Sequence, residues 1–190
     1  MPPIARYLLT FTLVIPGFAC KKLFKPGQPR DYDSPAMHFT YPGNWKIDGR
    51  TDNDGVEQVT LQTGNSQLVI ITVFKQKTGT TLEEFAQMTS DERAKNVDDL
   101  LSVRGVKLAE QKNGEFNDVS VSVGKKKYKG ISEKFNIRLL GIDVPHIAAY
   151  FALNQAEREI VYIIQSPEKE WEALKRDFSA IAATLKTRAW

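Results

Sequence analysis

The chain has 190 residues, of which 42% are hydrophobic and 26% charged, an ordinary globular balance that excludes wholesale disorder. A net charge of +3 is too mild to imply nucleic-acid binding by itself, and a single cysteine leaves no partner for a disulfide.

Near the N-terminus, Arg6 supplies a positive start, Tyr7 to Ile15 an apolar core, and Pro16-Gly17 a helix break before small Ala19, which is the layout of a secretory signal. The apolar run is too short to span a bilayer. Cys20 follows at once, so the stretch resembles a bacterial lipobox with Gly17-Phe18-Ala19-Cys20 as its cleavage region. Ala19 and Cys20 match that pattern. Gly17 stands where an aliphatic residue is usual, and bulky Phe18 stands where a small one is. The resemblance implies cleavage before Cys20 and diacylation of its thiol. The alternatives are ordinary secretion after Gly17-x-Ala19, which leaves a lone thiol in an oxidising compartment, and an uncleaved N-terminal anchor.

Residues 1–19 are thus expected to be a signal peptide, 20–36 a lipid-anchored tether and 37–190 one folded domain. Lys21 to Pro35 holds three prolines and no apolar periodicity. Its Lys21, Lys22 and Lys25 would each add about 1 kcal/mol of attraction to an anionic surface; the alternative is a merely solvated linker.

Phe39-x-Tyr41, a turn at Pro42-Gly43-Asn44 and Trp45-x-Ile47 open the domain as two short strands. Asp52-Asn53-Asp54-Gly55 suggests a calcium loop, but Arg50 and Leu61 occupy positions where an EF-hand needs acids, so a hairpin turn is expected. Val56 to Leu61 and Leu68 to Phe74 read as a hairpin, and the second strand is apolar on both faces, so it belongs in a covered centre. Thr80 or Thr81 with Glu83 or Glu84 forms a capping box, opening a helix that buries Leu82, Phe85 and Ala86. Thr89-Ser90-Asp91-Glu92 repeats the signal, predicting one kinked helix or two, with Ala94, Val97 and Leu101 buried, up to a stop at Gly105.

The second half is strand-rich: Val106 to Gln111, Val119 to Val123, and Ile131 to Leu139 with Phe135, Ile137 and Leu139 opposite Lys134, Asn136 and Arg138. Ile147 to Leu153 and Ile160 to Ile164 are apolar on both faces and belong at the sheet's centre. A final helix is predicted with Ser166 as N-cap and Pro167 at its first position. Its stripe of Trp171, Leu174, Phe178, Ile181 and Leu185 would gain roughly 8–15 kcal/mol on burial before entropy, at about 1.5–3 kcal/mol each, so it must dock.

This order gives an α+β fold, an antiparallel sheet layered with helices. Phe39-x-Tyr41-Pro42-x-x-Trp45-x-Ile47, with Ile160 to Gln165 running through Ser166 into an amphipathic end helix, resembles the PsbP-like fold over about residues 37–187. Within that family, the DcrB-type bacterial periplasmic lipoproteins suit Cys20 best. The resemblance implies an α/β/α sandwich with a non-enzymatic binding or assembly role in the bacterial envelope, facing the periplasm or cell exterior. It carries over no functional residue, because the matched positions are structural.

No G-x-S-x-G, H-E-x-x-H or glycine-rich phosphate loop occurs, and His38 and His146 lack a local acidic or cysteine partner, so they read as structural. No cofactor, metal or nucleic acid is expected. The rival class is an envelope hydrolase built from scattered carboxylates such as Glu133 and Asp143. The expected partners are the membrane, through lipid on Cys20, and an unidentified envelope protein. The dense charge run Gly124-Lys-Lys-Lys-Tyr128-Lys-Gly130 is the candidate surface for an acidic partner or anionic head groups. Its members are Lys125, Lys126, Lys127, Tyr128 and Lys129, with Lys134 and Arg138 beside them; the alternative is a solvated hairpin tip.

Overall fold

A computed structural model describes residues 27–188 apart from 65–66, 101, 104–105, 108, 113, 140–141 and 156–157. Five strands come first: β1 (Arg30–Asp33), β2 (Met37–Tyr41), β3 (Lys46–Asn53), β4 (Val56–Gln62) and β5 (Leu68–Phe74). Helix α1 (Leu82–Leu100) follows, then β6 (Ser102–Val103), β7 (Val106–Lys107), β8 (Ala109–Lys112), β9 (Phe116–Val123), β10 (Lys126–Leu139), β11 (Ile142–Ala152) and β12 (Glu159–Pro167). A single 3-10 turn leads into α2 (Trp171–Thr184) and the short β13 (Lys186–Thr187).

The main sheet runs β3-β4-β5-β12-β11-β10-β8, with β9 also paired to β10, and all its pairings are antiparallel. Its central strands are apolar on both faces, as their sequences require, and each face has its own cover. Val69, Ile71, Ala149, Phe151, Tyr162 and Ile164 point to one side. There they meet the small sheet β1-β2-β13 and the α2 stripe of Trp171, Phe178 and Ile181. Ile70, Ala148, Tyr150, Val161 and Ile163 point to the other, where Phe85 and Ala86 of α1 lie. The α+β sandwich expected from the element order is therefore the architecture observed.

The capping box forms as predicted: Glu84 N–H donates to Thr81 Oγ1 at 3.1 Å, and Thr81 N–H donates to Glu84 Oε2 at 2.9 Å. At the β3–β4 turn Asp54 and Gly55 both take positive φ, 48° and 83°, which is hairpin geometry. Three local expectations change. The folded part begins before Met37, because Tyr32 of β1 is buried, stacks on Phe39 at 4.9 Å and donates its hydroxyl to Glu57 Oε1 at 2.7 Å. Thr89 and Ser90 open no second helix; both lie on the buried face of one continuous α1. Ser166 caps nothing, since Ser166 and Pro167 remain extended in β12, paired with Ile147 and His146, and α2 starts only at Trp171. The side chains of Val97 and Leu101 lie outside the described residues.

Among the described side chains, a polar network joins Phe85 and Ala86 in seating α1 on the sheet. Arg93, 1% exposed, donates from Nη2 to Glu133 Oε2 of β10 at 2.5 Å, from Nη1 to Tyr150 OH at 3.1 Å and from Nε to Gln111 Oε1 at 3.0 Å. Its guanidinium also lies 3.9 Å from the centroid of the Phe135 ring. Ser90 completes the set by donating to Glu133 Oε1 at 2.8 Å. Burial alone would lower the Arg93 pKa, but Tyr150 and Glu133 outweigh it and raise it, so the charge is held. Burial pushes Tyr150 up to about 12, keeping its hydroxyl protonated.

Beside this network Gly114 N–H approaches Glu133, and a Cβ built on Gly114 would fall 1.2 Å from the Lys134 carbonyl oxygen. Only glycine lets the chain pass from β8 to β9 so close to β10. Gly114→Ala should therefore cost several kcal/mol or more in urea unfolding. Glu133→Gln leaves the Arg93 charge buried without its counter-charge and should cost about 3–5 kcal/mol by the same measurement.

His146 stacks on Phe135 with centroids 5.5 Å apart and donates Nδ1–H to the Val144 carbonyl at 2.9 Å. Burial, with the Arg93 charge adding to it, holds its pKa below the ordinary value. The folded state then binds fewer protons than the unfolded chain once pH drops below about 6.5. This stability is present above that pH and lost as pH falls through the folded value. Thermal melting should show a drop in Tm from about pH 7 to pH 5.5 that His146→Phe flattens.

Candidate functional site

The β9–β10 hairpin closes through Gly124, at φ 60°, and Lys125, with Val123 paired to Lys126. Two residues make the turn, and the strands behind it alternate cleanly. Val119, Val121, Val123 and Tyr128 pack on the α2 side of the sheet, where they anchor the hairpin to the core. Ser120 and Ser122 face the other way, opposite Lys129 and Lys127. Lys125, Lys126, Lys127 and Lys129 are all exposed, and Tyr128 is half-buried among them. Among the described residues none of these four ammonium groups joins an ion pair, whereas Lys134, Arg138 and Lys175 each do.

The structure therefore gathers five of the seven candidate residues and separates the other two. Lys134 stands seven residues along β10 from Lys127, roughly 24 Å at about 3.4 Å per residue, and on the opposite sheet face. Its Nζ lies 2.7 Å from Glu168 Oε1. Arg138 lies farther still and donates from Nε and Nη2 to the two Asp143 oxygens at 2.8 and 3.0 Å, across a direct β10–β11 register pair. The expected continuous patch of seven thus contracts to a tip of four lysines and a tyrosine, because the strand's length and two acids from neighbouring elements isolate Lys134 and Arg138.

The carboxylates of the rival reading do not converge. Glu133 is fully buried against Arg93, while Asp143 lies at the surface with Arg138, and their positions differ by five residues along the β10–β11 ladder, roughly 17 Å. His38 does have an acidic neighbour, Asp33 Oδ1 at 3.2 Å from Nδ1, brought there by the pairing of β1 with β2. That contact was hidden because residues 30–36 carry no strand periodicity. A groove of about 330 Å³ lies between Gly27, Pro29, Thr40, Tyr41, Pro42, Ala180 and Thr184, a lining without acid, base or nucleophile apart from hydroxyls. Among the described residues, no three of His, Cys, Asp or Glu group as metal ligands, and no helix is long and apolar enough to cross a membrane. Cys20, the signal-like segment 1–19 and residues 20–26 lie outside the described residues.

No protein-family model matches this chain, and no curated protein does. Among solved structures the chain is similar to cyanobacterial PsbP from Synechocystis sp. PCC 6803, at 14% identity and a TM-score of 0.46, covering 89% of this chain and 97% of that one. It is also similar to LpqN, involved in cell envelope biogenesis of Mycobacterium tuberculosis, at 9% identity and a TM-score of 0.40, covering 85% and 90%. A third similar chain is the Ran-binding protein Mog1p of Saccharomyces cerevisiae, at 10% identity and a TM-score of 0.36, covering 85% and 96%.

Proposed function

We propose that this chain is a non-enzymatic, DcrB-type lipoprotein of the bacterial envelope, anchored through lipid on Cys20, whose domain binds an acidic envelope protein through the β9–β10 hairpin tip. The observation that carries the binding half is the set of exposed lysines, Lys125, Lys126, Lys127 and Lys129, without acidic partners among the described residues. Among the described residues, single unpaired cations such as Lys46, Lys77 and Lys186 stand elsewhere, but the tip gathers four within five residues, while several other cations are matched. Arg138 has Asp143, Lys134 has Glu168, Lys175 has Glu172 and Arg188 has Asp33. Four unmatched charges on a rigidly backed hairpin form a local positive field that steers an acidic surface into contact, with Tyr128 as an amphipathic contact at its base. The anchoring half rests on the lone thiol directly after a signal-like segment, and the domain would face the periplasm or cell exterior.

Mass spectrometry of the natively processed N-terminus should find diacylglycerol on Cys20, and Cys20→Ser should move the protein from the detergent phase to the aqueous one. An unmodified Cys20 would overturn the anchor. Crosslinking in native cells should capture an acidic envelope protein. Replacing Lys125, Lys126 and Lys127 by Gln should leave Tm nearly unchanged yet slow association with that protein, and raising salt from about 0.15 M to 1 M, which shortens the Debye length from about 8 Å to about 3 Å, should do the same. Capture indifferent to both changes would place the binding surface elsewhere.

A further inference from the structure

The two edges of the main sheet are built differently. At one edge, β3 carries Lys46, Asp48, Arg50 and Asp52 at alternate positions, and its register with β4 slips between Ile47 and Gly49. Charges and a bulge of this kind are how natural edges refuse further strands. At the other edge, β9 pairs with β10 on its inner side only, and among the described residues no strand covers its outer side. Its eight residues, Phe-Asn-Asp-Val-Ser-Val-Ser-Val, contain one charge, Asp118, no proline and an unbroken register from Phe116 to Val123. Phe116, 37% exposed, sits at its start, and the four unmatched lysines sit at its end. An edge this long, regular and unprotected is a template for main-chain pairing.

We infer that β9 accepts an extended segment of the partner as an added antiparallel strand, and that the lysine tip selects a segment with acidic residues on alternate positions. This rests on the acidic-partner reading above and says how that partner is held. The pleat decides where each side chain goes. On one face the incoming residues extend the row of Val119, Val121 and Val123, which calls for apolar side chains. On the other they lie beside Ser120 and Ser122, with Lys129 and Lys127 one strand farther in, which calls for carboxylates within reach of long ammonium arms. The occupant is therefore an alternating apolar and acidic strand. Charge complementarity fixes its sign, and the absence of any lysine-matching acid on β9 beyond Asp118 leaves that complement to be supplied from outside.

The probe is a capped octapeptide alternating valine and glutamate, titrated onto the natively processed protein in zwitterionic detergent. Amide hydrogen exchange should show new protection within Phe116–Val123. In an antiparallel pair only every second residue turns its N–H toward the neighbouring strand. N-methylation of all valines and N-methylation of all glutamates should therefore differ: one should weaken binding by roughly tenfold or more, and the other should be tolerated. The Lys125, Lys126, Lys127→Gln variant should weaken binding of the unmethylated peptide, and a valine-glutamine peptide should lose the salt dependence. If both methylated peptides bind equally while lysines and salt still matter, strand addition is overturned and docking at the tip stands. If one methylation pattern blocks binding but the lysines are irrelevant, the acid selectivity and the tip reading beneath it both fall. No binding of the octapeptide at millimolar concentration overturns strand addition alone.

Discussion

A buried arginine and a buried glutamate hold the second layer of this protein onto its sheet. Among the described side chains of helix α1, Phe85 and Ala86 are buried on that face and Leu82 is half-buried. The other buried residues among its described side chains are Thr89, Ser90 and Arg93. Taking two charges out of water costs several kcal/mol per ion, and a single contact would not offset that. Here Arg93 meets Glu133, Tyr150 and Gln111 together and lies over Phe135, while Ser90 satisfies the second glutamate oxygen. Such a set is stable only when complete, so it gives α1 one docked position rather than several. Without α1, Ile70, Tyr150 and Ile163 would face water, and the central strands would lose one of the two covers that their sequences demand.

The same pair ties the hairpin to the core. Glu133 belongs to β10, the strand that carries Lys126, Lys127 and Lys129 at its start, and it aligns with Phe116, the first residue of β9. From Glu133 outward the two strands pair without interruption to the turn, with Val119, Val121, Val123 and Tyr128 packed on the side of α2. A charged tip on a floppy loop would lose much of its binding free energy to ordering; a tip extending a packed ladder is already ordered. The matching of Lys134 with Glu168 and Arg138 with Asp143 confines the unpaired charge of β10 to that tip, which concentrates the strand's positive field at one end.

Continuous apolar runs made the covered strands β5, β11 and β12 legible and a period-3.6 stripe did the same for α2, because those elements are stabilised by burial and burial is what such patterns record. The capping box was legible for a different reason: its two hydrogen bonds are local in sequence. What escaped was long-range. Ser166 and Pro167 look like a helix start, but their pairing with Ile147 and His146 holds them extended. Ser90 looks like a cap until Glu133, forty-three residues on, takes its hydroxyl. Arg93 did leave a trace, since Phe85, Ala86, Thr89, Ser90 and Arg93 fall at helical spacing on one face; a charge there is a request for a counter-charge that spacing cannot locate. The lysine run was visible as composition. Its separation from Lys134 and Arg138 depended on which acids the fold brings near, and no local pattern encodes that.

Strand β1 shows how a segment with no periodicity still becomes structure. Arg30–Asp33 has one inward residue, Tyr32, and that residue alone stacks on Phe39 and donates to the buried Glu57, whose other oxygen has no protein partner among the described residues. Burial and Glu57 together raise the Tyr32 pKa, so the hydroxyl remains a donor across the physiological range. Around it the aspartates flanking Tyr32 bind outward, Asp31 to Thr40 at 2.7 Å and Asp33 to His38 and Arg188. These contacts join β1 to β2 and to the C-terminal end of the chain, both beneath α2. The strand leading from the N-terminal segment is thus fastened to the face of α2, while α1 covers the opposite face and the lysine tip projects from the far edge strands. A pull transmitted through residues 27–33 acts first on a strand fixed by one buried aromatic and a ring of surface pairs, and α2, which packs on both β2 and β9, connects that strand's sheet to the ladder that presents the lysines.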